Sequence, residues 1–435
     1  MRLTCKLIAA VALFGIAAPA AAQVRPAPFP PMAPAIPSLA PRLPGSGAVV
    51  HFYERRGNPL IWFAAGPRSP AATELLNILN VSPVDGVTNS STLAMNVQQA
   101  VRRAQTGDPL ALLEADRILS AAWVAYVQAL RRPPRGTIYG SDSVLPQTGV
   151  ERILSEATGA RSLPQHLRSV SNVNPVYAEL RQVAIKQFRQ WGVVEPRLQA
   201  NLERTRALPS SGRFVLVDIN SARLFMFEEG RIADSMKVIV GKAEKQTPMM
   251  ASMIHYATFN PYWNVPDDLV RTLIARNVLD QGTKYLRERG YEVVLNWSEN
   301  APVLSPETID WRAIADGRAM VRVRQKPGPA NSMGNLKFSF PNEQNIYLHD
   351  TPDKTLFTAD QRALSAGCVR LEDAERLAAW LLRREPWAPS RSPEAHVQLP
   401  EGVPIYLTYL TAQARDGQLT FSDDVYGLDG THEGG

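Results

Sequence analysis

Two cysteines occur in the 435-residue chain, and only one of them, Cys368, stands among residues that could put a thiol to work. It lies in the run Ser365-Ala366-Gly367-Cys368-Val369-Arg370. Downstream, Leu371, Ala374, Leu377, Ala378, Leu381 and Leu382 recur at helical spacing, with Glu372 and Asp373 in the expected first turn. The spacing therefore predicts that Cys368 sits just before a helix start, where positive backbone potential would lower its pKa and favour thiolate. Gly367 would let the backbone turn tightly, so that neighbouring N–H groups converge where an oxyanion would form after attack on a carbonyl. Arg370 offers a positive charge or a fork for a substrate carboxylate; the plain alternative is a surface arginine on a helix shoulder.

A thiol nucleophile needs a base. His349 closes the apolar run Asn345-Ile346-Tyr347-Leu348-His349, a strand whose end would point at a facing loop, 19 residues before Cys368. Of the other histidines, His51, His166, His396 and His432 fall in the helical region or near the end of the chain, and His255 in another strand is the weaker rival. None of the six sits at metal-ligand spacing.

Other parts of the chain must hold this pair in place. From 49 to 208 the pattern is helical: Leu75, Leu76 and Leu79 share a face, and the run from Ala111 to Leu130 repeats that spacing at greater length. No titratable cluster there has a catalytic spacing, so 49–208 reads as a helical scaffold. After Leu208 the period changes to β-branched and aromatic runs broken at Asn220-Ser221 and Glu229-Gly230, a hairpin pattern. The second domain, 209–411, is expected to be mainly β, with helical content returning at 267–289 and 371–384 and a tail at 412–435. The fold class is thus α+β. The stretch 267–345, 79 residues long, is far longer than an ordinary connection between strands and has helix-like and turn-like runs of its own. It reads as a lid over the cysteine, with a static insertion as the alternative.

The start of the chain sets the compartment. Arg2 and Lys6 precede an apolar stretch from Leu7 to Ala18, and Ala20-Ala21-Ala22 offers a small-residue cleavage site, so 1–22 reads as an export signal. Cleavage would remove Cys5 and leave Cys368 without a disulfide partner or a resolving thiol. Residues 23–48 are rich in Pro and Ala and read as a stiff, extended tether. No later segment has the roughly 18 uninterrupted apolar residues of a membrane span. The formal charge of +6 falls to +4 without Arg2 and Lys6, a mildly basic balance. No Lys/Arg cluster with interleaved aromatics appears, which argues against nucleic acid as partner.

The run from His349 through Ser365-Ala366-Gly367-Cys368-Val369-Arg370 resembles the L,D-transpeptidases of the YkuD family, whose core reads His, then Ser-x-Gly-Cys-x-Arg. Phe259–Pro266 and Val323–Asn342 are similar to the larger, YcbB-like branch, and the runs beginning at Phe52 and Ala71 resemble that branch's helical scaffold. The resemblance implies a periplasmic enzyme of peptidoglycan, acting on tetrapeptide stems as donor and acceptor. It makes Cys368 the nucleophile and His349 the base. The Asp350 carbonyl would orient the ring, the amides of Gly367 and Cys368 would form the oxyanion hole, and Ser365 and Arg370 would line the site. It implies no metal or organic cofactor, and carbapenems as covalent inhibitors. The chain departs from the pattern at Ala366, where many relatives carry a histidine, and in the short segment 176–205, where the YcbB-like branch often holds a peptidoglycan-binding module.

Further residues are candidates for the substrate groove: Tyr262 and Trp263 as an aromatic wall or as core filling, and Arg324 and Lys326 for stem carboxylates or as a solvated basic strand. A carboxypeptidase or cross-link hydrolase would use the same thioester with water as acceptor. A non-catalytic wall-binding scaffold is the reading of another class, disfavoured because it has no need of a thiol with a histidine partner.

Overall fold

The structure, a computed structural model, describes residues 46–298 and 300–430. The expected signal peptide with Cys5, and the tether up to residue 45, lie outside the described residues. Among the described residues no helix is long and apolar enough to cross a membrane.

An N-terminal helical region precedes a mainly β region. Four of its helices begin in the same way, with a capping side chain followed by proline. Ser69 caps Pro70–Val81, Asp108 caps Pro109–Leu130, Asn174 caps Pro175–Trp191 and Glu195 caps Pro196–Thr205, each side chain accepting from a first-turn N–H. Proline at the first helical position has no N–H to leave unpaired and is already set at helical φ. Two buried carboxylates tie these helices together. Asp116 accepts from the N–H groups of Ile61, Trp62 and Phe63 and from the Tyr53 hydroxyl. Asp85 takes a bidentate Arg181 at 2.6 and 2.8 Å as well as the hydroxyls of Tyr126 and Tyr177. The region is not wholly helical: Ile138–Tyr139 forms a short strand that joins the main sheet beside Met250–Ala251.

The β region is a sheet closed on itself. The strand Ala395–Thr408 runs parallel to Phe214–Asp218 on one side and antiparallel to Met250–Phe259 on the other. Between them, in spatial order, lie Leu336–Ser339, Tyr347–His349, Val369–Leu371, Arg231–Gly241 and Arg223–Glu228. Glu229 and Gly230 both take positive φ, 49° and 75°, and make the tight turn the sequence announces. Inside, Val215, Val217, Leu224, Val238, Leu348, Val369, Ile405 and Leu407 pack against the helix Ala374–Leu382, which contributes Leu377 and Leu381. A side chain of this kind contributes about 1.5–3 kcal/mol when fully buried.

Between Phe259 and Leu336 an insertion builds a second small core. Its sheet is ordered Trp263–Asn264, Arg322–Gln325, Tyr291–Val294, Val303–Leu304. Val270, Ile274, Leu286, Val293, Trp311, Ile314 and Val323 pack within it. The boundary at 345 expected for this segment is too far along, because Leu336–Ser339 pairs with Phe259 and His349 in the main sheet. The helix Trp311–Ala315 lay below the reach of periodicity, being only five residues long. At the other end, the stretch read as a tail folds back. Ala412–Arg415 and Gln418–Phe421 form a hairpin, and Tyr426 stacks on Tyr409 with ring centroids 5.4 Å apart.

Candidate active site

Two short strands bring the expected pair together. Tyr347–His349 and Val369–Leu371 run parallel, with Leu348 opposite Val369 and His349 opposite Arg370. One step earlier in that register Tyr347 faces Cys368. Side chains alternate along a strand, so Leu348 and Val369 point into the core. Tyr347, His349, Cys368 and Arg370 point the other way, and all four line one cavity of about 950 Å³.

Cys368 does not stand at a helix start. Val369-Arg370-Leu371 is a strand, alternating buried, half-buried, buried, and the helix opens only at Ala374, capped by Asp373. No helix terminus lowers the thiol's pKa. Burial instead pushes it above the ordinary thiol range, opposed by hydrogen bonds from Tyr347 and the charge of Arg370. The thiol also reaches the Asn345 carbonyl at 3.6 Å.

His349 is fixed by its neighbour. Its Nδ1 lies 2.6 Å from the Asp350 carbonyl, which can only accept, so Nδ1 carries the proton and Nε2 is the free base. Asp350 is itself clamped, its N–H donating to Leu336 O at 2.8 Å and its carboxylate pairing with Lys354 at 2.7 Å. Burial, together with the charge of Arg370, lowers the His349 pKa to about 3, so the imidazole is neutral at neutral pH.

The turn between Ser365 and Val369 is locked from within. Ser365 Oγ donates to the Cys368 carbonyl at 2.6 Å and accepts from the Gly367 N–H at 3.1 Å. Ser365 thus staples the turn with both bonds, and the Gly367 amide, expected as an oxyanion donor, is engaged by it. Gly367 has φ +121°, and a Cβ there would come within 3.3 Å of Ile346 Cδ1. Only glycine adopts that conformation freely.

The insertion forms the opposite wall. Asp268, Leu269, Arg271, Thr272, Leu273, Tyr285, Arg289 and Tyr291 all face the cavity. Arg271, Thr272 and Leu273 do so from a π turn over Val270–Ile274, whose extra residue re-aims side chains within a helix. Lys245, on the loop after Arg231–Gly241, pairs with Asp268 across the mouth. Lys242, Lys245, Arg271, Arg289 and Arg370 give the lining five cations against the single carboxylate of Asp268. Buried Arg370 Nε has no hydrogen-bond acceptor among the described residues.

Of the other candidates, Trp263 lines the cavity. Tyr262 does not; it lies under the Arg324 guanidinium, 4.3 Å from ring to cation. Arg324 and Lys326 are turned to Glu292, at 3.1 and 3.4 Å; Arg324 stands in the insertion's own sheet and Lys326 just past the end of its strand, and neither lines the cavity. Exposed His255 is outside the cavity as well. Sequence reasoning missed Tyr347, although its position two residues before His349 on a strand places it on the same face. Burial holds its phenol well above the usual tyrosine range, so it stays a proton donor beside the sulfur.

Residues 212–398 match the family described as the L,D-transpeptidase catalytic domain, YkuD, and residues 47–183 match the family described as the Scaffold domain. A Haemophilus influenzae protein named "Putative L,D-transpeptidase" is 29% identical over 374 residues, covering 82% of this chain and 74% of its own. Among solved structures, the carbamoyl enzyme of Ldtfm with avibactam aligns at 9% identity over 45% of this chain and 49% of its own, with a TM-score of 0.23. An L,D-transpeptidase from Mycobacterium smegmatis aligns at 12% identity over 46% of this chain and 59% of its own, also at 0.23. Each of these two alignments thus spans less than two thirds of the solved chain.

Proposed function

From a chain that carries a YkuD-type L,D-transpeptidase catalytic domain behind a Scaffold domain, we propose a peptidoglycan L,D-transpeptidase that works through a thioester on Cys368 and makes 3–3 cross-links. The observation that carries this reading is the convergence of Cys368, His349 and Tyr347 on one wall of a cation-lined cavity.

In the first half-reaction His349 Nε2 takes the thiol proton as sulfur attacks the carbonyl of meso-diaminopimelate at stem position 3. The C–N bond to D-Ala at position 4 breaks, and His349 returns the proton to the leaving amine. In the second, the side-chain amine of another diaminopimelate attacks the thioester, the C–S bond breaks as the new amide forms, and the amine proton passes through His349 to the departing sulfur, which regenerates the thiol. Stem peptides carry several carboxylates, and five cations in the lining, with Arg370 holding an unsatisfied donor, suit such a substrate. The export signal at 1–22 supports a periplasmic site of action, and a thiol aimed into an open cavity supports acylation by carbapenems.

The test is product analysis. Purified protein incubated with diaminopimelate-containing disaccharide-tetrapeptides should yield dimers lacking one D-Ala, by mass. Tripeptide monomers alone would make the protein a carboxypeptidase, and no change in mass would remove the catalytic reading.

A further inference from the structure

We propose that Thr247, held in turn by Tyr426 from beyond the matched catalytic domain, is a positioning residue that aims the Cys368 N–H as oxyanion donor. The proposal rests on the assignment of Cys368 as a nucleophile toward carbonyls.

Thr247 is 2% exposed and lies outside both the strand that carries Tyr347 and His349 and the turn that carries Cys368. Its Oγ1 donates to the Gly367 carbonyl at 2.6 Å and accepts from the Gly241 N–H at 2.8 Å. The Gly367 carbonyl belongs to the same peptide unit as the Cys368 N–H. A trans peptide is planar, with C=O and N–H pointing opposite ways. A hydrogen bond that holds the oxygen from behind therefore sets where the N–H points. On the other flank of the turn Ser365 engages the Gly367 N–H and the Cys368 carbonyl. That leaves the Gly367–Cys368 peptide plane to be set by Thr247.

Thr247 is supported from the far end of the chain. Its N–H donates to the Tyr426 hydroxyl at 3.3 Å, and that hydroxyl donates to the Gly241 carbonyl. Gly241 admits the close approach because a Cβ there would come within 2.1 Å of the Lys245 carbonyl. Tyr426 is fixed by its stack on Tyr409 and by donating its N–H to the Tyr409 hydroxyl at 2.7 Å. The segment then ends on Asp429, which pairs with Arg197 and Arg204 of the helix Pro196–Thr205 at 2.6 and 2.7 Å. The turn beside the nucleophile is thus braced through Thr247 and Tyr426 by the helix Pro196–Thr205.

Two reactions at the same sulfur separate this role from general support. Acylation by a carbapenem needs an oxyanion donor; alkylation by iodoacetamide displaces iodide and forms no oxyanion. In the full protein, Thr247→Val and Tyr426→Phe should slow carbapenem acylation, followed by intact mass, by about 10- to 100-fold, the scale of a displaced catalytic group. Alkylation should stay within about twofold of the parent, and Thr247→Ser, which keeps the hydroxyl, should restore acylation. Tyr426→Phe keeps the ring stack and carries the test alone if Thr247→Val does not fold. Acylation at the parental rate in Tyr426→Phe, or equal loss of acylation and alkylation, overturns the proposal. A parent protein that alkylates but never acylates overturns it together with the assignment of Cys368 beneath it.

Discussion

Cys368 and His349 rest uncharged at neutral pH, and this sets how the site must work. The thiol is pushed above its ordinary range by burial, while His349 is lowered to about 3 by burial and Arg370. Both shifts disfavour a preformed thiolate–imidazolium pair, so in the proposed reaction proton transfer to Nε2 would accompany attack, with the Tyr347 hydroxyl and the Arg370 charge favouring the developing thiolate. With a raised thiol pKa, the thiolate fraction grows only as pH climbs through that raised value. The rate of Cys368 alkylation by iodoacetamide should still be rising above pH 8. A plateau already reached below pH 7 would mean a stabilised thiolate and would contradict this picture. The pair itself was legible from residue types and spacing, since a strand-end histidine and a Gly-Cys-x-Arg turn are local features. The ionisation state was not, because it depends on enclosure by the insertion and on Arg370 standing opposite His349 in the sheet.

Among the elements, four helix starts are the most securely encoded, each by a cap and a proline. The start after Cys368 was misplaced because Val369-Arg370-Leu371 satisfies both the helical spacing and the two-residue period of a strand. Pairing with Tyr347–His349 and Arg231–Gly241 on either side decides for the strand. The sequence leaves Arg324 and Lys326 open between substrate contacts and a solvated basic strand, because Glu292, more than 30 residues earlier, cannot be foreseen as their partner. Tyr426 and Thr247 carry no local signal at all. In the helical region the Asp85–Arg181 pair gives a measurable consequence. Both groups are buried, and removing one leaves an uncompensated charge, which costs about 3–5 kcal/mol. Asp85→Ala should lower the stability of the protein by that amount in urea titration. A loss of under about 1 kcal/mol would show that the pair contributes little to holding Tyr126, Tyr177 and Arg181 together.

At the scale of the whole molecule, the insertion and the closed sheet enclose between them the cavity at Cys368, where the proposed thioester would form. The insertion has its own core, so it can move as a body, and its bond to the opposite rim includes the half-buried Lys245–Asp268 pair. An enclosed thioester meets less water, which favours amine attack over hydrolysis. Hydrogen exchange across 267–325 should therefore slow once Cys368 is acylated. If exchange there is already slow in the free protein and acylation leaves it unchanged, the insertion is a fixed wall and the order of substrate entry needs another explanation.

The measurement closest to the central claim is to identify the atom that carries the acyl group. Protein quenched in acid during turnover of a diaminopimelate-containing tetrapeptide substrate should show, by intact mass, one adduct equal to the substrate less D-Ala. Peptide mapping should place that adduct on Cys368, and neither Cys368→Ala nor Cys368→Ser should show adduct or product. An adduct mapped to any other residue, or product formed by Cys368→Ala free of contaminating enzyme, would contradict the account.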